Sequence, residues 1–105
     1  TTGATGPTAL AISAVQSADV VVGSANQVVR VDPSGGGFSV TLPAAAGLGG
    51  QIIIIKNVTI STNIVTALPS GGDTLDGLTS QLLSGDHFLI QFISDGVSSW
   101  MITGA

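Results

Sequence analysis

Asp86-His87 sets a carboxylate beside an imidazole in a chain of 105 residues that contains one histidine, six aspartates, no glutamate and no cysteine. With a hydroxyl in reach, such a pair is the raw material of nucleophilic catalysis, the imidazole taking a proton and the carboxylate orienting it. The surrounding "GDHFLIQFIS" reads as the start of a strand, and neighbours on a strand point to opposite faces. The pair is therefore not expected to form a base and its orienter, and His87 reads as a surface or interface imidazole. No catalytic residue is expected, because an enzyme needs convergent titratable groups.

Asp73 and Asp76 in "GGDTLDG", with Asp32 or Asp95, offer hard oxygen ligands of the kind Ca²⁺ collects about six to eight at a time. The alternating Asp loop that would gather them is missing, and Asp before Gly is ordinary turn chemistry. No metal or cofactor is expected. A sugar platform needs an exposed aromatic ring, whereas Phe38, Phe88, Phe92 and Trp100 all fall in strand patterns that imply burial. Asn57-Val58-Thr59 matches an N-glycosylation acceptor, a tripeptide that recurs by chance.

Composition narrows the classes further. The chain is 44% hydrophobic and 8% charged, against about 25% charged in an ordinary soluble domain. Hydroxyls, amides and 15 glycines supply the polar surface instead. A net charge of -4 with two cations, Arg30 and Lys56, gives the wrong field for a nucleic-acid backbone. The longest apolar run is far short of the ~20 residues of a membrane-spanning helix, so no membrane insertion is expected. Without cysteine, neither disulfides nor thiolate metal sites hold the fold. A start at Thr1 reads as a module cut from something longer.

The elements that must position these residues are short strands. "FSVTL" alternates with Phe38, Val40 and Leu42 on one face, and "SSWMIT" sets Trp100 and Ile102 against Met101 and Thr103. Turn clusters at 32–37, 43–50, 69–73 and 94–97 separate the runs, and Asp95-Gly96 reads as a hairpin turn. About eight strands are expected, near 10–15, 19–23, 27–32, 38–42, 51–56, 63–68, 87–94 and 98–103. The segment 8–18, "TALAISAVQSA", is Ala-rich enough for a short helix, with a strand or extended arm preferred. Residues 1–8 read as a collagen-like or flexible linker remnant, since Gly3 and Gly6 stand three apart, and 9–105 as one all-β domain.

Three runs put apolar groups on both faces. In "QIIIIK", Ile53 and Ile55 look one way and Ile52 and Ile54 the other; in "HFLIQFIS", Phe88, Ile90 and Phe92 oppose Leu89 and Ile93; "DVVVG" is the third. Leaving one such side chain in water forfeits about 1.5–3 kcal/mol. A two-layer sandwich would cover one face of each sheet. With no amphipathic helix to cover the second, the expected cover is another copy of the chain. A collagen-like stalk would feed three parallel chains into the domain, so the expected state is a homotrimer around a three-fold axis. The fold class is then a short-stranded sandwich or a β-prism or β-roll type domain. Its core and interface are expected to be built by Ile52, Ile53, Ile54, Ile55, Phe88, Ile90, Phe92 and Trp100.

The order "VDPSGGGFSVTLPAAAGLGGQIIIIKN", "GGDTLDG", "SDGVSSWMI" resembles a module of bacteriophage tail-fibre and head-fibre proteins, over about two-thirds of the chain. The matching positions are Leu42-Pro43, Ile54-Ile55-Lys56-Asn57, Asp73 to Gly77, and Asp95-Gly96 with Trp100; residues 1–30 match nothing in it. The resemblance implies a homotrimeric β domain on a virion surface that locks three chains in register and contributes to host attachment. Its partners would be its own copies, other virion proteins and a host cell-surface glycan. The alternative it leaves open is a receptor- or glycan-binding knob of a phage or of a collagen-like protein on a bacterial cell or spore surface.

Overall fold

The computed structural model describes residues 10–104. The glycine spacing of residues 1–8 lies outside them. β-Branched and aromatic runs broken by Gly, Pro and Asp form ten strands, as the composition of those runs favours. They are β1 (Ala11–Ile12), β2 (Val20–Val21), β3 (Gln27–Val31), β4 (Phe38–Thr41), β5 (Ile52–Asn57), β6 (Val65–Leu68), β7 (Thr74–Leu75), β8 (Gln81–Leu83), β9 (Leu89–Ser94) and β10 (Ser99–Gly104). One 3₁₀ turn, Pro33–Gly35, follows β3.

Successive strands change sheet. A six-stranded sheet has the order β1-β3-β5-β9-β10-β7 and a four-stranded sheet the order β2-β4-β6-β8. β1, β3 and β5 are parallel neighbours in the first, and β2, β4 and β6 are parallel neighbours in the second, so the chain winds through both sheets like a coil. Antiparallel β8 and β9 then close the coil on one side, and β10 returns on β9 by a hairpin. Both sheets are mixed, and the protein is all-β, as its punctuation implies.

The core lies between the sheets. From the large sheet come Val29, Val31, Ile53, Ile55, Ile90, Phe92 and Trp100; from the small one come Phe38, Val40, Val65, Ala67 and Leu83. Register stacks them in layers, Val29 beside Ile55 beside Ile90, and Ile53 beside Phe92 beside Ile102. Gln27 ends the stack, its Nε2 donating to the carbonyls of Gly23 and Ala25 at 2.7 and 2.9 Å. The alternation that exposes Ser39 and Thr41 in β4 gives the small sheet an outward face of Ser39, Thr41 and Thr66, flanked by Val21, Leu68 and Leu82.

Candidate functional site

The catalytic pattern is the first to be placed. Asp86 and His87 stand in the turn before β9, not on the strand, and His87 has φ 52°, in the left-handed region. That conformation lets adjacent side chains meet: Asp86 Oδ1 contacts His87 Nδ1, contrary to the opposite-face expectation. Both side chains are exposed, and among the described residues no hydroxyl hydrogen-bonds to His87. The pair lacks the nucleophile that acyl-transfer chemistry requires.

The aspartates organise backbone. Asp32 Oδ1 accepts from Ser34 N and Oγ at 3.0 and 2.6 Å, capping the 3₁₀ turn, and the hydroxyl and amide of Ser34 hold its carboxyl below the usual range. Asp95 Oδ1 accepts from Val97, Ser98 and Ser99 amides at 2.8, 3.0 and 3.1 Å, closing the β9–β10 loop. The Val97 and Ser99 amides lower its pKa. Asp73 Oδ2 accepts from Ala45 N at 2.9 Å, and Asp76 follows β7 with φ 51°. Among the described residues, no three His, Cys, Asp or Glu side chains gather as a metal site.

Leu42-Pro43, the Gly-rich loop that follows it, Asp73, Asp95-Gly96 and Trp100 converge at one end of the coil. Trp100, fully buried, donates from Nε1 to Pro43 O at 3.0 Å. Buried Ser94 donates from Oγ to Ala45 O at 2.9 Å and accepts from Gly96 N at 3.0 Å. Gly47 N donates to Gly96 O at 3.0 Å, and a Cβ on Gly96 would meet Gly49 Cα at 3.1 Å, which explains two glycines there. The Leu-Pro strand end, the Gly-rich loop, Asp73 and the Asp-Gly turn thus form one hydrogen-bonded cap. Trp100 is its anchor and not a sugar platform.

At the opposite end of β5, Asn57 is fully buried and donates from Nδ2 to Ser61 O and Gly85 O at 3.0 and 3.2 Å. Its Oδ1 accepts from Thr59 N and Oγ1 at 2.9 and 2.7 Å. One amide ties the loop after β5 to the turn before β9, so the sequon asparagine is a structural knot.

The eight expected interface and core residues divide by face. Ile53, Ile55, Ile90, Phe92 and Trp100 are buried inside their own chain, and Phe88 is half-buried against that core. Phe88 also borders, with Leu82, Leu83 and Leu89, an open groove of about 310 Å³ between β8 and β9. Ile52 and Ile54 point outward from the six-stranded sheet. There they join residues outside the expected set. Ile54 lies beside Val28, Val28 beside Ile12, and Ile52 beside Ile93, which pairs with Met101. Ile12 is 67% exposed, Leu89 43% and Met101 40%. The outward face is thus a largely apolar surface across β1, β3, β5, β9 and β10, interrupted by Gln91 beside Ile54 and by Arg30 beside Lys56. The two-sided patterns of β5 and β9 signal Ile52, Ile54 and Ile93, but only the register shows that they adjoin Val28, Ile12 and Met101.

No protein-family model matches the chain, and no curated protein is significantly similar to it.

Proposed function

We propose that this chain is a structural module of a virion fibre, a self-associating β domain that locks three copies in register at a fibre end. The observation that carries the reading is the outward face of the six-stranded sheet, with Ile12, Val28, Ile52, Ile54, Ile93 and Met101 adjoining one another. Val28, Ile52, Ile54 and Ile93 are half-buried there and Ile12 and Met101 exposed, so this face is only partly covered by its own chain. Completing the burial of each half-covered side chain is worth on the order of 1 kcal/mol, and a contiguous apolar face is the usual mark of an interaction surface.

The role is structural rather than catalytic, and its place is a virion surface or, failing that, a bacterial cell or spore surface. Other virion proteins and a host glycan are partners of the same reading. Against a glycan-binding knob as the main role stands Trp100, which lies in the core and anchors the cap.

Ile54→Asp and Thr66→Asp place the same charge on the outward faces of the large and small sheets. The expected result is that Ile54→Asp disperses the assembly and removes the concentration dependence of the thermal midpoint that coupled folding and association produce, while Thr66→Asp keeps both. Equal behaviour of the two variants contradicts the assignment of the face.

A further inference from the structure

Arg30 and Lys56, the two Lys or Arg residues of the chain, are neighbours. β3 and β5 pair in parallel with Arg30 beside Lys56, about 4.8 Å apart. Val29, Val31, Ile55 and Asn57 point into the core, so both cations leave the outward face described above. Like charges side by side repel, and the two heads part. Arg30 Nε donates to Ser13 O at 2.8 Å, beyond β1, and Lys56 Nζ donates to His87 O at 2.6 Å, ahead of β9.

Among the described residues neither cation has a carboxylate partner. All six aspartates are among the described residues, where the one contact between a carboxylate and a basic side chain is Asp86 with His87. Four of the aspartates are committed to backbone amides of their own chain: Asp19 to Ser39, Asp32 to Ser34, Asp73 to Ala45 and Asp95 to Val97. Asp76 and Asp86 are exposed and accept from no backbone amide among the described residues.

We propose that the Arg30–Lys56 pair receives an aspartate carboxylate, from Asp76 or Asp86 of a second copy, when the outward face of the six-stranded sheet is buried between copies. The inference rests on the self-association reading. Burial of that face strips water from two cations standing in it, and an unpaired buried charge costs several kcal/mol. A guanidinium carries five N–H donors and an ammonium three, of which one each is spent on a carbonyl. A carboxylate supplies about four acceptor sites for the rest. It also fixes register, which isoleucine and valine alone specify weakly, because a charge pair is directional where apolar contact is not.

The test is a double-mutant cycle on the whole chain by sedimentation equilibrium, using Lys56→Gln, Asp76→Asn, Asp86→Asn and the pairs of Lys56→Gln with each. Circular dichroism checks that each variant is folded, and Arg30→Gln repeats the cycle from the other cation. Lys56→Gln is expected to weaken association about tenfold or more, one aspartate variant to weaken it by a similar factor, and their combination to be no worse than either alone. An assembling parent with an unaffected Lys56→Gln variant overturns the pairing and leaves self-association standing. So does a Lys56→Gln effect that neither aspartate variant shares, the pattern that a carboxylated small molecule, the other source of this chemistry, would give. A parent that never associates overturns both.

Discussion

Replacing Asn57 by Asp changes no shape and two donors, which makes it a sharp probe of the knot at the end of β5. Nδ2 now donates to Ser61 O and Gly85 O; a carboxylate oxygen in its place would face both carbonyls with no proton. Two hydrogen bonds are lost, at about 0.5–1.5 kcal/mol each, and a charge is added at a fully buried position. The sum is a loss of roughly 3–5 kcal/mol at neutral pH, a large share of the stability typical of a domain. Burial and the two carbonyls raise the folded-state pKa of the new carboxyl above the roughly 3.9 of an unfolded chain. The folded state then binds the proton more tightly, so the penalty grows as pH rises from about 4 through the folded-state value and shrinks on acidification. Urea denaturation followed by the fluorescence of the single tryptophan, at fixed protein concentration between pH 4 and 8, measures it. Asn57→Ala is the control and should be destabilised without that pH dependence. A variant within about 0.5 kcal/mol of the parent at pH 7, or a penalty indifferent to pH, refutes the account of the knot.

The cap at the other end makes further predictions. Trp100→Phe orphans Pro43 O and leaves unfilled volume in the core, so a loss of about 2–4 kcal/mol is expected by circular-dichroism denaturation, with the loop at 43–50 becoming the first site of proteolysis. The folded-state pKa of Asp95 is lowered by the Val97 and Ser99 amides, so its contribution is present above the unfolded-state value near 3.8 and is lost as pH falls through the folded-state value. Asp95→Asn should accordingly melt with a shallower pH dependence than the parent below about pH 4, a comparison made by thermal denaturation across pH 2–6.

Strand content was legible because alternation and turn residues are local signals. "FSVTL", "QIIIIK" and "FLIQFIS" form strands close to where their patterns place them, and Asp95-Gly96 turns the β9–β10 hairpin. The arms 10–15 and 19–23 shrink to Ala11–Ile12 and Val20–Val21, each an edge strand paired on one side; past Ile12 the chain meets β3 as a bridge again at Gln16 and Val31. β7 and β8 lie outside the expected strands because, at two and three residues, they are too short to show a period. The alternation of strands between two sheets was equally hidden, because parallel pairing joins residues far apart in sequence. Both phases of the isoleucine run are apolar, so periodicity alone does not say which faces inward; Ile90 and Phe92, packed across from Ile55 and Ile53, decide it. The Asp86-His87 contact depended on a left-handed φ at His87, where Ser84-Gly85 was the available warning of a turn. Trp100 and Pro43 meet across 57 residues, and no spacing rule connects them.

Sedimentation equilibrium of the unmodified domain, taken from micromolar to millimolar concentration, bears most directly on the sheet face that its own chain leaves only partly covered. The account predicts a reversible species of three times the 10.3 kDa chain mass, favoured as concentration rises. A folded, cooperatively melting particle that stays at 10.3 kDa throughout would mean that water tolerates this isoleucine face, and the account would be wrong.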